Sequence, residues 1–266
     1  MLFRSPVTLQ KALANSLNTV SVRLTVEFGP AAVAKTAYRL GITSKLEPNP
    51  SLALGTSEVS VIELVSAYAP FANGGNMVVP HVVERIRTVD GKKTLYTNAN
   101  TSFGRVVDAR YVGMMNAMMR QTLLTGTAHS ASLPGWVAAG KTGTSQDFRD
   151  AWFIGYTGHL VTGVWLGNDD SSPTKKATGG GLPVDVWSRF MKVAHQNIPL
   201  ADLPGLARGG GLLAPPAPAG PAAVSQDRLA PSDRLAPVPV ATAGNVRPQA
   251  DRGLDGWFLD RLFGGR

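Results

Sequence analysis

Three apolar runs in the second half of the chain constrain the fold most, at residues 136–141, 151–157 and 160–167. Their connections are too short for crossovers, so the spacing predicts three consecutive antiparallel strands with a tight turn at Gly158. Between the first and second runs stands Lys141-Thr142-Gly143-Thr144-Ser145. At the end of a strand the lysine offers a fixed positive charge, and the hydroxyls offer donors for a carboxylate. Gly143 has no side chain to keep a substrate from lying against the strand. Lys-Thr-Gly recurs by chance, so it gains weight only with a partner motif elsewhere.

The partner is Ser16-Leu17-Asn18, a Ser-x-Asn inside Ala12-Leu13-Ala14-Asn15-Ser16-Leu17-Asn18-Thr19-Val20. With Lys141-Thr142-Gly143 it resembles two members of the signature set of the penicillin-binding, serine-transpeptidase family, S-x-x-K, Ser-x-Asn and K-T-G. The stretches 7–20, Thr125-Gly126-Thr127-Ala128 and Thr178-Gly179-Gly180-Gly181-Leu182-Pro183 are similar to class A penicillin-binding proteins, the bifunctional cell-wall synthases. The resemblance covers about residues 5 to 197. It implies an α+β fold of the penicillin-binding protein and serine β-lactamase kind, an antiparallel sheet flanked by helices. It also implies stem peptides of peptidoglycan and β-lactams as ligands, and no cofactor.

The resemblance assigns roles residue by residue. Ser16 would relay a proton toward the leaving amine, which a serine can do only if a neighbouring lysine holds it. Lys141 would supply charge to that relay and to the substrate carboxylate. Asn18 would pair with a peptide bond of the stem peptide. Thr142 and Thr144 would bind the terminal carboxylate beside Gly143, with the Thr144 N–H forming half of an oxyanion hole. Taken singly, Ser16 is a helix-terminal hydroxyl, Asn18 a capping residue, and the threonines ordinary strand residues. Their joint order and flanks carry the reading. If it holds, Ser16 and Lys141 meet within about one water of each other.

The first motif is not found where the resemblance puts it. The fifteen residues before Ser16 contain no S-x-x-K. Ser172-Pro173-Thr174-Lys175 has the spacing, but it follows the K-T-G and sits in a polar, turn-rich stretch rather than at a buried helix start. The expectation is therefore a transpeptidase domain truncated at its N-terminus, without nucleophile or glycosyltransferase domain, and inactive alone. A non-catalytic module that keeps the groove for a substrate or partner is the alternative. A β-lactamase-like hydrolase is disfavoured, because no carboxylate near the motifs is placed to deacylate.

The net charge of +8 comes from dispersed basic residues, with no block of five or six, so a nucleic-acid partner is not supported. Attraction to anionic polymers or lipid surfaces is the milder reading. The absence of cysteine removes disulfides and thiolate chemistry. His81, His129, His159 and His195 lack metal-ligand spacing and read as surface or satisfied histidines, with no metal site. No signal peptide and no spanning run occurs. The family's periplasmic location at the inner membrane would thus depend on an N-terminal anchor that this sequence lacks.

Periodicity predicts a helix over 8–15 capped by Thr8, an ambiguous segment over 20–28 with Thr19 as a cap, and a helix over 31–40 closed by Gly41. Ser60-Val61-Ile62-Glu63 has capping-box spacing and opens a helix that stops at Asn73-Gly74-Gly75. Residues 78–89 alternate and turn at Asp90-Gly91 into a second strand over 92–96. Asp108 caps a Met-rich helix through Leu124, with Met114, Met115, Met118 and Met119 as core. A last helix over 182–196 points Val186, Trp187, Phe190 and Val193 inward. One transpeptidase-like domain over 1–200 results. From about 204 to 250, nine of the nineteen prolines crowd among Ala and Gly, and Asp-Arg-Leu-Ala-Pro occurs twice, so this segment reads as a disordered linker. Residues 254–264 read as a short amphipathic helix that would dock on a cell-wall or division protein, on a membrane surface, or back on its own domain.

Overall fold

The computed structural model describes residues 6–98 and 103–206. The first helices are α1 (Leu9–Ala14), α2 (Asn18–Phe28) and α3 (Pro30–Arg39), followed by α4 (Val61–Ala72). A small hairpin, β1 (Arg85–Arg87) and β2 (Thr94–Thr97), precedes α5 (Ala109–Leu124). A three-stranded sheet, β3 (Ala139–Thr144), β4 (Asp150–Tyr156) and β5 (Val161–Gly167), leads into α6 (Leu182–Ala194).

Side-chain caps set the starts of α1, α4 and α5. The Thr8 hydroxyl accepts from the Lys11 N–H at 3.2 Å, and Asp108 accepts from the Arg110 N–H at 2.8 Å. At α4 the Ser60 hydroxyl accepts from the Glu63 N–H while the Glu63 carboxylate accepts from the Ser60 N–H, a complete capping box. Glu63 also accepts from the N–H and hydroxyl groups of Thr43 and Ser44, which hold its carboxyl far below the usual range. Gly41 follows α3 with φ +107, as its position beyond the helix end requires.

The sheet is a meander, with β3 and β5 each antiparallel to β4. Alternate residues of β4 serve two layers. On one face Tyr156 donates to Asn116 of α5 at 2.7 Å and meets the ring of Tyr68 of α4 edge-on. On the other face Phe153 packs edge-on against Trp187 of α6, whose indole N–H donates to the Gly155 carbonyl at 3.0 Å. A Cβ on Gly155 would lie 2.6 Å from the Trp187 ring, so a side chain there would expel the indole. The sheet is thus a middle layer between α4 and α5 on one side and α6 on the other.

Several expectations need correction. β3 begins at Ala139, not 136, because its ladder starts at the Ala139–Tyr156 pair. Beyond Tyr156 the chain turns back toward β5, with the Thr157 N–H bonded to the Leu160 carbonyl, so residues 136–138 have no strand to pair with. The K-T-G therefore lies inside the strand. Thr19 does not cap α2; Leu17 occupies the cap position without a side-chain bond, and the ambiguous 20–28 is helical. Of the alternating run 78–89 only Arg85–Arg87 pairs; Pro80 lacks a donor, and Val82 and Val89 are fully exposed, so no buried face drives pairing. Met119 is core, but Met114 is exposed. On α6 the inward residues are Val184, Trp187, Ser188 and Met191, while Val186, Phe190 and Val193 are exposed. The expected linker start at 204 falls within packed chain, since Leu203 and Leu206 are buried against Tyr156 and Met119. The rest of the linker and the helix expected at 254–264 lie outside the described residues.

Candidate active site

Ser16 sits where α1 ends. The Ser16 N–H bonds to the Leu13 carbonyl, and the Leu17 N–H to the Ala12 carbonyl. These two bonds make a Schellman turn, whose pivot residue adopts left-handed backbone. Ser16 is that pivot, at φ +51. The turn swings its hydroxyl toward β3, where the Lys141 ammonium donates to Ser16 Oγ at 3.0 Å and to the Thr142 carbonyl at 2.9 Å. The two side chains, 125 residues apart, meet without an intervening water. Burial pushes Lys141 down to about 8, so its charge is less fixed than the sequence reading assumed.

The chain after α5 locks α1 to the sheet. The Thr127 N–H donates to the Ala14 carbonyl at 3.0 Å. This approach requires Gly126, where a Cβ would stand 2.2 Å from the Ala14 oxygen. The Thr127 and Thr142 hydroxyls lie 2.6 Å apart. Thr144 Oγ1 accepts from the Gly179 N–H at 2.9 Å, which ties the segment before α6 to the strand. His129 Nδ1 faces the Gly126 carbonyl at 3.1 Å; a carbonyl only accepts, so that nitrogen carries the proton.

Together these groups line an open cavity of about 460 Å³, formed by Asn15, Ser16, Gly126, Thr127, His129, Thr142, Thr144, Thr178 and Gly180. The lining includes hydroxyls, an imidazole and no carboxylate, a composition suited to an anionic group. Lys141 reaches this lining through Ser16. Asn18, the exposed first residue of α2, and Gly143 are not part of the lining. Asn15, Gly126, Thr127, His129, Thr178 and Gly180 were given no site role from sequence, although most lie in the Thr125–Ala128 and Thr178–Pro183 stretches that carried the resemblance. The rejected Ser172 sits in a loop whose Lys175 is exposed, and its hydroxyl accepts from Asn168 at 3.1 Å. Among the described residues no group of three or more His, Asp or Glu side chains could hold a metal ion.

The edge strand of the sheet thus carries Lys-Thr-Gly, with the serine of Ser-x-Asn held against the lysine. The family model for the penicillin binding protein transpeptidase domain matches residues 3–166, and the chain belongs to that family. It is 37% identical over 197 residues to penicillin-binding protein 1A of Aquifex aeolicus, covering 74% of this chain and 27% of that protein. It is 35% identical over 194 residues to penicillin-binding protein 1A of Neisseria meningitidis serogroup B, covering 71% of this chain and 24% of that one. The chain thus spans about a quarter of the length of these relatives. Among solved structures it is similar to the PonA1 protein of Mycobacterium tuberculosis in complex with penicillin V, at TM-score 0.69 and 29% identity over 82% of this chain and 64% of that one. The penicillin-binding protein PonA1 from the same organism gives TM-score 0.70 and 30% identity, covering 79% of this chain and 61% of that one.

Proposed function

We propose that this chain supplies the second and third motifs of a serine D,D-transpeptidase that cross-links stem peptides of peptidoglycan on the periplasmic face of the inner membrane. The 3.0 Å contact between Lys141 Nζ and Ser16 Oγ carries this reading, because neither residue is placed there by local sequence. An acyl transfer needs a proton delivered to the leaving amine. With its pKa lowered by burial to about 8, Lys141 can hold Ser16 as a donor and recover its own proton within a turnover. Thr142 and Thr144 bind the terminal carboxylate, Asn18 the peptide backbone of the substrate, and the Thr144 N–H together with the nucleophile's N–H the oxyanion. On this reading the nucleophile is none of the 266 residues.

The test is intact-protein mass spectrometry after incubation with a fluorescent penicillin. The 266-residue chain should remain unlabelled, since a serine without a neighbouring lysine is a poor nucleophile. A version preceded by a family segment carrying S-x-x-K should label, and Lys141→Ala in it should slow labelling at least a hundredfold, roughly the contribution of one positioned proton-transfer group. A stoichiometric adduct on the 266-residue chain, lost in Ser172→Ala, would overturn the assignment of roles.

A further inference from the structure

Thr127 carries no role in the reading above, yet it lines the cavity and its hydroxyl meets that of Thr142. Two hydroxyls 2.6 Å apart hold two hydrogens, and only one can lie between the oxygens. The other must point away from the pair, and both threonines line the cavity. Whichever residue donates to the other, the pair presents one outward O–H. A lone Thr142 hydroxyl would be free to rotate and offer a lone pair instead. The Thr144 hydroxyl is biased the same way, because its oxygen already accepts from the Gly179 N–H. The Thr127–Thr142 pair and Thr144 therefore bring to the cavity O–H groups biased toward donation by their protein neighbours.

Thr127 is held firmly enough to act in this way. Its N–H is fixed on the Ala14 carbonyl, two residues before Ser16. A Cβ on Gly180 would lie 2.3 Å from the Thr127 carbonyl, so the segment before α6 packs directly on it. Thr127 thus joins the Ser16 turn, β3 and the 178–181 segment at one point.

We propose that Thr127 is a positioning residue whose hydroxyl, paired with that of Thr142, leaves one O–H of the pair turned outward as a donor, and that the pair so makes the site prefer a substrate ending in a free carboxylate over its carboxamide. The inference rests on the assignment of Thr142 to the terminal carboxylate. A carboxamide ends in an NH2 donor, which opposes a preset donor, whereas a carboxylate accepts from it on either oxygen.

The experiment titrates the 266-residue chain, labelled with nitrogen-15 and carbon-13, with an N-acylated peptide ending in D-Ala-D-Ala and with the same peptide as its C-terminal carboxamide. Wild type should bind the carboxylate about tenfold more tightly, the scale of one charge-assisted hydrogen bond. Thr127→Val, which keeps the shape, should reduce that ratio severalfold with an unchanged spectrum away from the site. Thr127→Ser should restore it. Thr142→Val should lose the same discrimination, and the double variant should lose no more, since the two hydroxyls act as a unit. If Thr127→Val does not fold, the wild-type titration still decides. The methyl signals of Thr127 and Thr142 should shift together with the carboxylate peptide and not with the carboxamide. Full discrimination in Thr127→Val, or unmoved methyl signals while the carboxylate binds, would overturn the inference alone. A wild-type chain that does not distinguish the two peptides would overturn the carboxylate assignment and the inference with it.

Discussion

Ser16 stands where a glycine would fold more easily, and this can be measured by comparing Ser16→Gly with Ser16→Ala. Both variants delete the hydroxyl and its contact with Lys141, so that loss cancels in the comparison. They differ only in the Cβ at a backbone φ of +51. A Cβ in left-handed backbone costs about 1–2 kcal/mol. Glycine loses more backbone freedom on folding, which offsets roughly 0.5–1 kcal/mol of that gain. The glycine variant should therefore be more stable than the alanine variant by about 1 kcal/mol. For a domain of this size that is about 2–4 °C in melting temperature. Calorimetry of the two purified variants at one pH and protein concentration reads the difference. An alanine variant that melts at or above the glycine variant would refute the argument, and with it the view that the Schellman turn holds Ser16 under strain in exchange for its hydroxyl.

Lys141→Met should flatten the pH dependence of stability in alkali. The unfolded lysine keeps its proton to about 10.5 and the folded one only to about 8. Between these values the unfolded state binds more protons, so wild-type stability rises with pH there by at most about 3 kcal/mol relative to the variant. Urea unfolding at pH 7.5 and pH 10 measures this, and equal slopes would contradict it. Gly126→Ala should drive the α5–β3 connection off the end of α1 and cost about 2–4 kcal/mol in chemical denaturation, a clash-type loss; a change below 0.5 kcal/mol would mean that the approach is not needed. Glu63→Gln should lower the melting temperature at pH 7 by a few degrees through the weakened capping box. Because the folded carboxyl is depressed, its stabilisation is present above about pH 4.5 and lost as pH falls below that value, so the deficit of the variant should shrink in acid. A deficit independent of pH would argue against the clasp on Thr43 and Ser44.

The elements legible in the sequence are those decided by neighbours in the chain. Thr8, the Ser60–Glu63 box and Asp108 mark helix starts through bonds that span two or three residues, and the meander follows from connector length. The misread elements are those decided by distant partners. On α6 the sequence offers two apolar stripes, one through Val184, Trp187 and Met191 and another through Val186, Phe190 and Val193. Only the bare glycine floor at Gly155, and the Phe153 ring beside it, select the first. The start of β3 depended on where β4 turns away, which no property of residues 136–138 reveals. For the site, the two motifs and the meeting of Ser16 with Lys141 could be anticipated. Thr127 and His129 could not be assigned from sequence, because their importance lies in what they touch across the fold.

The distances along the chain also set the order in which the site can assemble. The β3–β4–β5 meander closes through short turns, whereas the Ser16–Lys141 contact closes a loop of 125 residues. Loop-closure entropy delays such non-local contacts relative to local ones. The strand that carries Lys-Thr-Gly should therefore acquire amide protection before α1 docks beside it. Pulse-labelled hydrogen exchange during refolding would see protection at 151–166 precede that of Leu17 and Thr127, and simultaneous protection would contradict this order. A chain caught part-way would already display its lysine strand yet lack the Ser16–Lys141 contact, so under the proposed function the site would be completed only in the last steps of folding.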